Sequence, residues 1–107
     1  MNENNFSKYI KIPLVGNKYQ SRKPNKNDVD IQLINEDDNV HDNMAVGVYS
    51  KMVTNNKITY EKLGFVIKDK TKFVREYGES LKLYKIVRSK EKNNDNLYYY
   101  YLLFHKP

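Results

Sequence analysis

Four acids crowd one turn of this chain: Glu36, Asp37, Asp38 and Asp42 lie within NEDDNVHDNMAVGVYS (35–50), which then runs straight into apolar residues. Clustered carboxylates suggest metal chemistry, but a two-metal hydrolase needs acids arriving from different strands. Here they share a single turn. The two histidines, His41 and His105, are far apart and belong to no metal-ligand spacing. There is no cysteine, which removes disulfides, thiolate nucleophiles and cysteine-bound zinc together. Neither a Ser-His-Asp or Cys-His grouping nor a glycine-rich phosphate loop is present. The expectation is a protein that is not an enzyme and holds no metal and no cofactor. What remains for that turn is solvation, a short motif with a job at a sheet edge, or an acid that hydrogen-bonds the backbone leading into the next strand.

The surroundings of the turn are basic. The chain of 107 residues has 19 Lys and Arg against 13 Asp and Glu, a net charge of +6. Residues 1–27 hold six basic residues and one acid, residues 28–50 six acids and no Lys or Arg, and residues 51–107 thirteen basic residues and six acids. One acidic stretch therefore interrupts a basic surface. A domain with a pI of about 9.4 is a candidate for binding nucleic acid. The abundance of Lys, Asn and Tyr, all with AT-rich codons, offers a compositional explanation of the same charge.

The elements that must position these residues read mainly as strands. Ile10, Ile12 and Leu14 alternate with polar or exposed positions, as do Val29, Ile31 and Leu33, and Met44, Val46 and Val48 face opposite Ala45, Gly47 and Tyr49. Pro13 cannot donate to a ladder, so it predicts an edge or a bulge in the first strand. A turn at Thr54–Lys57 joins a strand to Ile58–Tyr60 and Leu63–Ile67. Asp69 is placed to cap a short helix over 70–77, with Phe73, Val74 and Tyr77 on one face and Gly78 in the left-handed position after it. Leu81–Arg88 and Leu97–Phe104 flank the polar turn SKEKNNDN as a hairpin. Its second strand, LYYYYLLF, has no charge and must be covered or partnered. Alternation sends two of the four tyrosines to each face. The sum is one domain over 1–107, mainly β, with about six strands and one or two short helices. An OB-like small β-barrel, closed or partly open, is the expected architecture.

Three stretches then align with one family. VGNKYQSR (15–22) leaves the first strand through Gly16 into Lys18 and Tyr19. LINEDDNVHDNMAVGV (33–48) runs strand, acidic turn, Asp, then Asn-x-Ala-Val into a strand. KLGFVIKD (62–69) has Leu-Gly-aromatic followed by apolar residues and a Lys. Together they resemble the HIRAN domain, found at the N-terminus of the helicase-like transcription factor and related DNA-repair translocases, and as free-standing bacterial and viral proteins. The match covers roughly residues 10–77. The resemblance implies a barrel that grips the free 3′-hydroxyl end of single-stranded DNA. On that basis Lys18 would contact a phosphate, Tyr19 would stack on the terminal base and Asp42 would accept a hydrogen bond from the 3′-hydroxyl. His41 would stand at the aromatic position beside the pocket, with Phe65 after the motif glycine and Lys68 at the strand-to-helix corner. Stacking tolerates any base, lysines supply sequence-blind affinity, and a carboxylate repels a 3′-phosphate while accepting from a hydroxyl. On this reading only Asp42 is needed, and Glu36, Asp37 and Asp38 solvate the turn.

The chain departs from the family in places. Asp37 and Val40 stand where the acidic turn usually has proline, which predicts a looser turn. Lys18 replaces an Arg and loses the bidentate phosphate grip, while the basic loop SRKPNKND offers compensation. Phe65 also suits a core position. The expected function is a single-stranded DNA-binding module for 3′ ends in replication, repair or recombination. With no helicase or nuclease segment beside it, the module would act alone or through a helicase, nuclease or other protein partner. The alternative is a protein-interaction module, an inhibitor or adaptor of viral or mobile-element origin, using the tyrosine-rich strand to extend another sheet. No apolar run is long enough to span a bilayer and no signal peptide is visible, so an intracellular location, cytoplasm or nucleus, is expected.

Overall fold

Asn55 and Asn56 both adopt left-handed backbone angles, φ 51° and 65°, the two-residue turn whose twist matches the strands on either side of it. The hairpin it closes, β3 (Val46–Thr54) and β4 (Lys57–Val66), anchors the protein. The protein is described by a computed structural model covering residues 8–94 and 96–106. Residues 1–7, Pro107 and Asp95, the last of these in the predicted polar turn, lie outside the described residues. The remaining strands are β1 (Tyr9–Val15), β2 (Ile31–Asn35), β5 (Lys82–Lys92) and β6 (Tyr98–His105), with one helix, α1 (Thr71–Tyr77).

The six strands form one antiparallel sheet in the order β2-β3-β4-β1-β6-β5. The mainly β class and the strand count agree with the sequence reading. The sheet is not closed by strand pairing: β2 and β5 end it. Between them lies a cleft of about 420 Å³, lined by Ile31 and Leu33 of β2, Leu83 of β5 and Val74 and Arg75 of α1. Thus α1, rather than a strand ladder, stands over the opening. Its Val74 is buried in the core, and Phe73 and Tyr77 pack their rings 5.1 Å apart beside it.

Alternation decides which residues enter the core. Ile12 and Leu14 of β1, Val46 and Val48 of β3, Leu63 and Val66 of β4, and Tyr100, Leu102 and Phe104 of β6 form one buried cluster. Tyr98 packs against it, whereas Tyr99 and Tyr101 face outward. The four tyrosines divide two and two, as their spacing requires.

Several local expectations are corrected. Pro13 is not on an edge strand, since β1 lies between β4 and β6. It marks the place where the short β1–β4 ladder begins: Leu14 and Val15 pair with β4, and the Pro13 carbonyl accepts from Ile67 N. Val29 and Met44 fall outside their strands and are exposed. Asp69 does not cap the helix. A 3-10 turn, Lys68–Lys70, feeds directly into α1, and the Thr71 hydroxyl donates to the Lys68 carbonyl instead. Gly78 stays right-handed (φ −57°) because a second 3-10 turn, Gly78–Ser80, continues the winding. The last hairpin is longer than its polar composition suggests, because β5 continues to Lys92 with two irregularities in register. Among the described residues no helix is long and apolar enough to cross a membrane.

Candidate nucleic-acid interface

Strand register gathers the three motif stretches at one end of the sheet. Val15 pairs with Phe65, Phe65 with Gly47, and Gly47 with Ile34. The loop after β1, the acidic 36–45 loop and the corner after β4 therefore leave the sheet at the same level. With strands about 4.8 Å apart, the first two loops bracket a strip about 14 Å wide. Phe65 stands within that strip.

On the first side, Gly16 leaves β1 with a left-handed backbone (φ 71°) and starts a 3-10 turn, Asn17–Tyr19. The Tyr19 ring is 78% exposed, and the Lys18 ammonium lies 5.1 Å from its centre. Phe65 is half-buried on the outer face rather than in the core, close against Gly16. Phe65 therefore packs on the outer face of the sheet and not in the core.

Beside Phe65 lies a network that sequence reasoning missed. The Lys62 ammonium sits 3.9 Å over the Phe65 ring and donates to Glu36 Oε1 at 2.9 Å, while the Tyr49 hydroxyl donates to Glu36 Oε2 at 2.7 Å. Both the Glu36 carboxylate and the Tyr49 ring lie across the bare backbone of Gly47, where any β-carbon would collide with them. Burial opposes ionisation of Glu36, but hydrogen bonds from Lys62, Tyr49 and Asn39 outweigh it and hold the carboxyl below its usual range. The same burial, with the Glu36 charge, pushes the Tyr49 hydroxyl up to about 12. The signal was present in part: Gly47 and Tyr49 share one phase of the β3 alternation, and Lys62 opens the third motif.

On the other side, the acidic loop is built rather than solvated. Asn39 Oδ1 accepts from the backbone N–H groups of His41 and Asp42, and Asp42 Oδ1 accepts from Met44 N at 2.9 Å. Asp42 therefore turns the chain into β3 with one oxygen, leaving Oδ2 without a hydrogen bond among the described residues. His41 is exposed on the same turn. Arg75 of α1 grips the loop from behind. It donates to the carbonyls of Asn43, Met44 and Ala45 and to Asp37 Oδ1, all within 2.9–3.1 Å. The expectation of a loose turn, made from the missing prolines, is corrected: one guanidinium supplies the restraint. Glu36 and Asp37 are likewise not mere solvating charges, and only Asp38 among the four acids fits that description.

Arg75→Ala is expected to cost about 2 kcal/mol, since bonds donated by a charged group are worth more than neutral ones. It should also free the loop amides of Glu36 and Ala45 to exchange. Arg75→Lys should recover less than half of the stability, because an ammonium cannot span three carbonyls and a carboxylate. Urea titration with hydrogen exchange at those two amides reads both effects.

Lys68 is exposed at the corner after β4 and is not in contact with the Phe65 network in this structure. The basic loop expected to compensate for Lys18 is spent differently. Arg22 forms a bidentate pair with Asp28 at 2.7 and 2.9 Å and donates to Glu61 at 2.8 Å, so only Lys23 and Lys26 of that loop remain exposed cations. Among the described residues no group of three or more His, Asp or Glu side chains is placed to hold a metal ion. No known protein-family model matches the chain, and no curated protein or solved structure matches it.

Proposed function

We propose that this protein is a non-catalytic module that binds single-stranded DNA and holds its free 3′-hydroxyl end, in the manner implied by its resemblance to the HIRAN domain. The observation that supports it best is the strip at the end of the sheet. An open aromatic residue with a lysine beside it, Tyr19 with Lys18, flanks the half-buried Phe65, and a fixed acidic turn stands opposite. A terminal base stacks on Tyr19 while Lys18 meets the adjacent phosphate. The unbonded Oδ2 of Asp42 then accepts from the 3′-hydroxyl. An acid within a basic surface is useful when the target is the one neutral donor at the end of a polyanion. The half-open sheet, with α1 over the gap, is read here as a partly open OB-like barrel.

The variants that separate these roles are Tyr19→Ala and Asp42→Ala. Removing the Tyr19 ring should weaken binding of a free-ended strand by about 1–3 kcal/mol, roughly 5- to 150-fold, whatever the terminal base. Removing Asp42 should instead reduce discrimination against a 3′-phosphate, with a smaller change in overall affinity. If both variants stay folded and neither alters binding, the site is wrongly placed.

A second reading, contact with a protein partner, draws support from a different place. Extension of another sheet by the tyrosine-rich strand is excluded by the topology, since β1 and β5 occupy both edges of β6. However, Val53, Ile58 and Tyr60 are 67%, 57% and 50% exposed on one face of the β3–β4 hairpin, an apolar patch near its tip.

A further inference from the structure

A second concave surface lies away from the motif loops. The segment 24–29, which precedes β2, faces β5 across a cleft of about 750 Å³. Lys26 lines one side and Lys85 and Arg88 the other, with Val29, Leu83 and Ile86 supplying apolar wall. Asp28 also borders the cleft, but its side chain is only 1% exposed and its charge is met by the paired Arg22 guanidinium. The charge offered to a ligand is therefore positive.

Two details fit this cleft to a strand of alternating charged and flat groups. The Arg88 guanidinium lies 4.4 Å over the Tyr98 ring, which holds its planar fork in place instead of letting it sweep through solvent. Val29 is 81% exposed at the rim, an apolar side chain on a loop that is otherwise polar. Held guanidinium and lysine groups suit phosphates, and an apolar rim suits sugars and base faces. The cations along the cleft favour a polyanion over an uncharged peptide.

We propose that the cleft between residues 24–29 and β5 is a second binding surface, which takes the phosphate backbone of an internal stretch of single-stranded DNA. The inference rests on the single-strand reading for its ligand class but not on capture of an end. The protein then holds a strand at two places, one specific for its terminus and one blind to it.

The test uses a short closed circle of single-stranded DNA, which has no end to capture. Each cation lost from a single strand's phosphates lowers the slope of log affinity against log salt by about 0.7. The triple variant K26A/K85A/R88A should thus lose about 2 from that slope and bind the circle about tenfold more weakly or worse. A control triple of exposed lysines elsewhere, K57A/K70A/K72A, should change it little. Equal losses from both triples would overturn the proposal, since binding would then follow net charge alone. Unaltered binding by the cleft triple, or preference for polyglutamate over the circle, would overturn it too. Absence of any difference between 3′-hydroxyl and 3′-phosphate ends would sink the end-capture reading and leave this result standing.

Discussion

Asp28→Asn is expected to lower the folding free energy by about 2–4 kcal/mol, a large share of what a domain of this size has. The carboxylate accepts both Arg22 Nη groups and the Asn25 amide, and Ser50, buried in β3, bonds to it as well. With Arg22 also reaching Glu61 on β4, this clasp ties the long connection after β1 onto the β3–β4 hairpin. An asparagine keeps the shape but leaves a partly buried guanidinium facing an NH2 group. Urea unfolding measures the cost, and a change below about 0.5 kcal/mol would show that the clasp is not closed in solution.

The same group sets a pH dependence. Burial alone would raise the Asp28 pKa, but hydrogen bonds from Arg22, Ser50 and Asn25 prevail and hold it below its ordinary value. Glu36 is held low in the same way by Lys62 and Tyr49. The unfolded chain therefore takes up protons first as the pH falls. Their stabilisation is fully present above the ordinary carboxylate range, near pH 4, and is lost as pH drops through the lower folded values. Acid titration of Asp28→Asn should show a shallower loss over that range than the parent protein.

The second large effect is expected at Gly64. A bulge between β3 and β4 opposes Val48 to Gly64 and Tyr49 to Lys62, which leaves Leu63 as the extra residue. Consecutive residues at such a bulge point to the same side. Leu63 fills the core there, so its neighbour has no room for a side chain. Gly64 has φ +154°, and a β-carbon on it would stand 2.6 Å from the Val15 carbonyl oxygen and 2.9 Å from Leu14 Cδ1. Gly64→Ala is expected to destabilise by about 3 kcal/mol through combined strain and overpacking. The β1–β4 ladder pairs only Leu14 with Val66 and Val15 with Phe65, so this displacement lands where the sheet is least secured. It should also shift Gly16 and Phe65 and weaken end binding. Thermal unfolding that matches the parent would contradict the described β1–β4 contact.

Much of this was legible in the chain because period-two alternation is a strong signal. Ile12 and Leu14, and Val46 and Val48, were placed by it and do fill the core, and the four tyrosines of β6 divide between the two faces as it required. The Asn-Asn turn was legible because few other residues tolerate two successive left-handed angles. Strand order was not. That β1 would insert between β4 and β6 depends on long-range pairing, and with it went the fate of the tyrosine-rich strand. At the site, the chain order of the motifs pointed to Tyr19, Asp42 and Phe65, but the partners of the charges were invisible. Arg22 and Arg75 looked like two more cations on a basic protein. Their forks in fact close on Asp28 and on the 36–45 loop, across 6 and about 31 positions of sequence. Glu36 looked like one of several turn acids, yet the bare Gly47 beneath it makes room for its pairing with Tyr49 and Lys62.

The central claim is tested most directly by fluorescence anisotropy of one short labelled single strand at physiological salt, prepared with either a 3′-hydroxyl or a 3′-phosphate end. The account predicts tighter binding of the free hydroxyl, with the difference reduced in Asp42→Ala. Equal affinity for the two ends, or no binding of either, would contradict it.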